Sequence, residues 1–114
     1  MSRRFAVPCY QGVLTDHFGH CEQFAIVDVD DSNVITKTEM ITPPVRQPGL
    51  YPKWLREEFS IKTVLAGGIG QRARDLFEAE GIEVLAGVAS DKPDKLVASY
   101  LAGEVTDGSN RCGH

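Results

Sequence analysis

The chain has 114 residues, 42% of them hydrophobic, and a formal net charge of −4 at pH 7, the size and make-up of one globular domain with a core that needs no disulfide staples. The acidic balance excludes a broad phosphate-binding surface, and no apolar run is long enough to cross a bilayer. The opening Met1-Ser2-Arg3-Arg4-Phe5-Ala6-Val7-Pro8 is too short in its apolar part for a signal peptide, and with only three cysteines this predicts a cytoplasmic protein with thiols kept reduced.

The predicted elements begin with a short strand, Phe5-Ala6-Val7, stopped by Pro8. Phe24–Val29 is a second strand rich in β-branched and aromatic residues, Asp30–Asn33 is a polar turn, and Val34–Ile41 alternates as a third strand, so the two form an antiparallel hairpin. Three prolines and a glycine make Thr42–Gly49 a loop. Leu50, Trp54, Leu55 and Phe59 then recur at helical spacing, with Trp54 and Phe59 as core residues. Thr63–Ala66 is a fourth strand running into Gly67-Gly68-Ile69-Gly70. Ile69, Ala73, Leu76 and Phe77 mark a second helix that stops at Gly81. Ile82–Ala86 is a fifth strand, and Ser90 caps a third helix along Leu96, Val97, Tyr100 and Leu101, closed by Gly103. The order predicts an α/β domain over residues 1–103 with a mixed five-stranded sheet and about three helices, followed by a flexible tail, 104–114.

Asp16-His17-Phe18-Gly19-His20-Cys21 concentrates two imidazoles and a thiol, and the chain ends on Cys112-Gly113-His114, so these two stretches hold all three histidines and two of the three cysteines. Imidazole and thiolate suit zinc, copper, iron and iron–sulfur species, which makes His17, His20, Cys21, Cys112 and His114 candidate ligands. Cys21 has the alternative of a small buried hydrophobe, and Cys9 reads as a structural thiol. If the first strand lies beside the fourth and parallel to it, the His17 loop and the Gly67–Gly70 loop open on one edge, where open α/β sheets bind their ligands. Bare glycine amides and the start of a helix favour an anion, with Arg72 and Arg74 adding positive charge. The glycine run lacks the Gly-Lys-Ser/Thr of a P-loop and the spacing of a dinucleotide fingerprint, so no nucleotide is expected. There is no Cys-x-x-Cys and no Gly-x-Ser-x-Gly.

With His17-Phe18-Gly19 ahead of the strand ending in Val27-Asp28, and Ala66-Gly67-Gly68-Ile69-Gly70-Gln71-Arg72-Ala73 ahead of Leu76–Ile82, the chain resembles the dinitrogenase iron–molybdenum cofactor biosynthesis family from about Phe5 to about Gly103. The resemblance implies a ribonuclease-H-like fold. It makes His17 the leading cofactor ligand, with Phe18 and Gly19 shaping its loop and Gly67, Gly68 and Gly70 beside it. It also implies an iron–sulfur cluster or iron–molybdenum cofactor precursor as cargo, cofactor-assembly or acceptor proteins as partners, and a carrier role without catalysis. Relatives often place another histidine where this chain has Arg46-Gln47-Pro48-Gly49. Two other readings start from the same residues. One is a divalent-metal nuclease or phosphotransferase using Asp16 and Asp28, and the other a regulatory module sensing a small anion or metal. The hairpin edge leaves a monomer or a weak homodimer open.

Overall fold

Alternating apolar side chains on two strands set the whole architecture. Along β1 (Arg3–Tyr10) and β3 (Gln23–Val29), Phe5, Val7 and Cys9 face one side with Ala25, Val27 and Val29, while Ala6, Phe24 and Ile26 face the other. Each face therefore needs a cover. The computed structural model describes residues 3–44 and 47–104. Within them the sheet runs β4-β3-β1-β5-β6, with β4 (Ile35–Ile41), β5 (Thr63–Leu65) and β6 (Glu83–Leu85) joined to these two, and a short β2 (Val13–Leu14) paired to the end of β1. Helices α1 (Tyr51–Phe59) and α2 (Gln71–Ala79) cover the first face through Tyr51, Leu55 and Phe77, and α3 (Pro93–Leu101) covers the second through Leu96 and Val97. Side chains such as Leu55 and Phe77, both without exposed surface, each stabilise the fold by about 1.5–3 kcal/mol.

The mixed sheet, the antiparallel β3–β4 hairpin and the three helices match the expected α/β domain. The expected neighbour is there too: β5 pairs parallel to β1, Phe5 opposite Thr63 and Ala6 opposite Val64. Trp54 and Phe59 are half-buried, pack on the core and meet ring to ring at 5.4 Å.

Several local expectations are corrected. Pro8 does not stop the first strand, which pairs with β3 as far as Cys9 opposite Gln23. The Pro8 carbonyl accepts the Thr15 N–H, 3.0 Å away on the side opposite β3, so the missing proline N–H points the same way and breaks no β1–β3 bond. Leu50 belongs to a 3-10 turn, Pro48–Leu50, and is 51% exposed, because α1 begins only at Tyr51. Ser90 does not cap α3: its hydroxyl donates to the Leu14 carbonyl at 2.6 Å, and the helix starts at Pro93, whose fixed φ and missing N–H suit a first turn. Of the expected flexible tail, residues 105–114, with Cys112 and His114, lie outside the described residues.

Candidate functional site

The site grows from the carboxyl ends of the parallel strands. After β1 the chain turns through Gln11 and Gly12, both at positive φ, into β2, and the Leu14 N–H donates to Asp91 O at 3.0 Å. Thr15 follows, buried. Its hydroxyl donates to the His17 carbonyl at 3.1 Å and accepts the His17 N–H at 3.4 Å, a local bracket that fixes the histidine backbone. Phe18 then plunges into the core, 5.5 Å from the Phe77 ring, 5.8 Å from Tyr51 and 6.1 Å from Phe24. With Thr15 behind it and Phe18 as anchor ahead of it, His17 is left exposed on a fixed main chain.

The glycine loop locks onto this turn. Gly68 N–H donates to Asp16 O at 2.6 Å, Phe18 N–H donates to Gly68 O at 2.8 Å, and His17 and Gly68 form a parallel bridge. Two β6-side amides, those of Gly87 and Val88, donate to Gly67 O and Ala66 O at 2.8 and 3.0 Å, so the loops after β1, β5 and β6 form one edge. A Cβ on Gly67 would stand 2.8 Å from Thr15 O, and one on Gly68 2.6 Å from Asp16 O and 3.3 Å from His17 Nδ1. These glycines therefore serve close backbone approach. That corrects one expectation, since the Gly68 amide is not bare toward a guest but already bonded to Asp16.

Two cavities flank His17. One, of about 660 Å³, runs from His17 over Gly68 and Ile69 to Arg72 and Leu76 at the start of α2. The first helical bond is Arg74 N–H to Gly70 O at 3.0 Å, so the amides of Gln71, Arg72 and Ala73 precede the ladder and form the positive end of the helix dipole, with no acidic residue in that turn. The other cavity, of about 730 Å³, shares His17 and Gly19 with the first and carries Asp16, Glu22, Tyr10 and Ser90 in its wall. One side is cationic and partly apolar, the other acidic.

A family model described as dinitrogenase iron-molybdenum cofactor matches residues 1–103. The chain belongs to the dinitrogenase iron-molybdenum cofactor family. It is similar to protein MJ0580 of Methanocaldococcus jannaschii, 26% identical over 106 residues that cover 90% of this chain and 88% of that one. The solved structure of PH0822 superposes with a TM-score of 0.80 at 26% identity, covering 91% of this chain and 93% of its own. The apo form of the orange protein from Desulfovibrio gigas superposes at 0.71 and 21% identity, covering 92% of each chain, a likeness of fold.

For a member of the dinitrogenase iron-molybdenum cofactor family, the expected site residues divide clearly. His17, Phe18, Gly19, Gly68, Gly70 and Arg72 all border the 660 Å³ cavity, whereas Gly67 is buried behind it. Arg74 turns away, pairing with Glu78 at 3.6 Å and donating to Val84 O at 3.4 Å. Cys21 is 5% exposed within the aromatic cluster, and its thiol donates to Gln23 O at 3.2 Å. It thus takes the part of a small buried hydrophobe, at the edge of the acidic cavity. His20 ends the 3-10 turn Phe18–His20, and its side chain, like Cys112 and His114, lies outside the described residues. Among the described residues no three His, Cys, Asp or Glu side chains gather around a metal-sized point. Among the described side chains, His17 is therefore the one exposed imidazole that borders the cavity. Cys9 is buried, donates its thiol to Val7 O at 3.3 Å, and has its pKa pushed up to about 12 from 9.0, first by burial and then by the nearby Cys21.

Thr15 was not singled out by sequence reasoning. A threonine two residues before the histidine is the signal that could have found it. Asp28, by contrast, pairs with Arg4 at 2.8 Å near the far end of β1. Asp16 lies by the near end, so the two carboxylates of the nuclease reading are not brought together. No described helix is long and apolar enough to cross a membrane.

Proposed function

We propose that this protein carries an anionic iron–sulfur or iron–molybdenum precursor cluster in the cavity between His17 and the start of α2, as a cytoplasmic carrier and not a catalyst. The observation that supports it most is the main-chain pairing of His17 with Gly68, which sets an exposed imidazole against the positive end of a helix and Arg72 in one hollow. The neutral imidazole nitrogen would bond the cluster, and the helix amides and the guanidinium would balance its charge. Ile69 and Leu76 on the same wall exclude water from one side of the guest. A single protein bond leaves the other metal positions free for sulfide or for a receiving protein, which suits a cargo that must leave. The family description, dinitrogenase iron-molybdenum cofactor, points the same way.

The test is anaerobic addition of a preformed synthetic [4Fe–4S] thiolate cluster to wild type and His17→Ala, followed by desalting, iron and sulfide analysis and visible absorption. Retention by wild type and at least a tenfold loss in the variant are expected, with unchanged circular dichroism. Equal retention by both would remove His17 from the site.

A further inference from the structure

We propose that two copies of this chain pair edge to edge through β4, antiparallel about a two-fold axis at Thr38, to make one continuous sheet; this is independent of what the cavity holds. Among the described residues β4 is the terminal strand of the sheet, with β3 on one side and no strand on the other. Its middle, Thr36-Lys37-Thr38-Glu39, is exposed throughout, so a row of backbone N–H and C=O groups faces solvent.

The side chains on that edge choose the partner. A lysine in the middle of an edge strand normally repels foreign strands. Lys37 and Glu39 lie on the same face of β4, with Lys37 Nζ 3.5 Å from a Glu39 carboxylate oxygen, and each is at least half exposed. In an antiparallel pairing centred on Thr38, Lys37 of one copy stands opposite Glu39 of the other, and Glu39 opposite Lys37. The four charges then alternate in a closed ring on one face. On the other face Thr38 meets Thr38, a favourable cross-strand combination.

Register is fixed by the same charges. A two-fold axis perpendicular to the sheet keeps matching faces together and must pass through a residue. Slipping by one pleat repeat centres the pairing on Lys37, which sets lysine against lysine, or on Glu39, which sets glutamate against glutamate. Only the Thr38 centre avoids both clashes and joins opposite charges, so the lysine that guards the edge against strangers admits a second copy of its own chain. The β3–β4 register shifts between Asp28 and Val29, where Lys37 faces Asp28 and Ile35 faces Val29, which leaves Thr36 as the extra residue of a bulge. A bulge bends its strand and ends regular pairing, so the new ladder is short. The buried area falls below the standard interface of about 1,600 Å², and the dimer is weak, with a dissociation constant above about 1 μM. Antiparallel pairing also points the two His17 edges in opposite directions, leaving both cavities open.

The test is light scattering and sedimentation of the full chain from low micromolar to millimolar concentration at low salt. Wild type should move from one chain mass toward two as concentration rises. Lys37→Glu and Glu39→Lys should each raise the dissociation constant at least tenfold, and the double reversal Lys37→Glu with Glu39→Lys should restore dimerisation. Both positions are exposed, and circular dichroism checks that folding is intact. A wild type that stays monomeric at millimolar concentration overturns the proposal, as does a dimer indifferent to the single reversals. Failure of the double reversal to restore dimerisation overturns the Thr38 register.

Discussion

Gly68 and Asp16 are joined main chain to main chain at 2.6 Å, a contact that no residue with a side chain permits. A methyl at position 68 would stand only 2.6 Å from the Asp16 carbonyl oxygen, so Gly68→Ala must push the two loops apart. The expected loss is about 1–3 kcal/mol of unfolding free energy in urea titrations. Gly19→Ala is the control, because nothing lies within 4 Å of its Cβ position, and it should change stability by less than about 1 kcal/mol.

Thr15→Val keeps the shape of the buried side chain and removes the hydroxyl that brackets His17. The His17 N–H and C=O each lose a partner, which should lower stability by about 0.5–1.5 kcal/mol. The readout particular to this role is the His17 imidazole: its ring resonances in nuclear magnetic resonance spectra should broaden or shift, while those of the β3–β4 hairpin stay in place.

Arg72 is exposed and borders the cationic cavity. Arg72→Gln should leave thermal stability within about 0.5 kcal/mol of wild type. It should weaken retention of an anionic cluster several-fold at low salt, and the difference should shrink as salt is raised, since an exposed charge is screened within about 10 Å at 0.1 M. Cluster retention measured at two salt concentrations checks both statements.

Cys9 gives the chain an alkaline limit. Its thiol is protonated to about pH 12 in the folded protein and ionises near its ordinary value of 9.0 when unfolded. The unfolded state therefore holds fewer protons between those values, and stability falls as pH rises through that window, with its full contribution present below the unfolded value. Urea titrations from pH 8 to 11 should show this decline, and Cys9→Ala should flatten it. In the native protein Cys9 should also resist alkylation at pH 8, because the thiolate is the reactive form.

Long-range order was the legible part of the sequence. The run Phe24–Val29 and its partner Ile35–Ile41 announced the hairpin through β-branched alternation, and the pairing of β1 with β5 followed from the order of elements. What escaped was built from single atoms. β2 is two residues long and has no period to detect. Thr15 matters through one hydroxyl. Ser90 looked like a helix cap but donates to Leu14, a residue 76 positions away in sequence, and local propensity is blind to such a contact. At Gly68, glycine permits both a free amide and a tight crossing of chains, and only the position of Asp16, whose carbonyl takes the Gly68 N–H, tells the two apart.

His17 is the party wall of two rooms with unlike furnishing, one with a guanidinium and helix amides, the other with Asp16 and Glu22. Guests on either side of one ring cannot be energetically independent, and linkage requires the influence to run equally both ways. Under the proposed carrier function, a visitor that draws the imidazole toward the acidic room would loosen whatever leans on it from the other, and release would be triggered from behind.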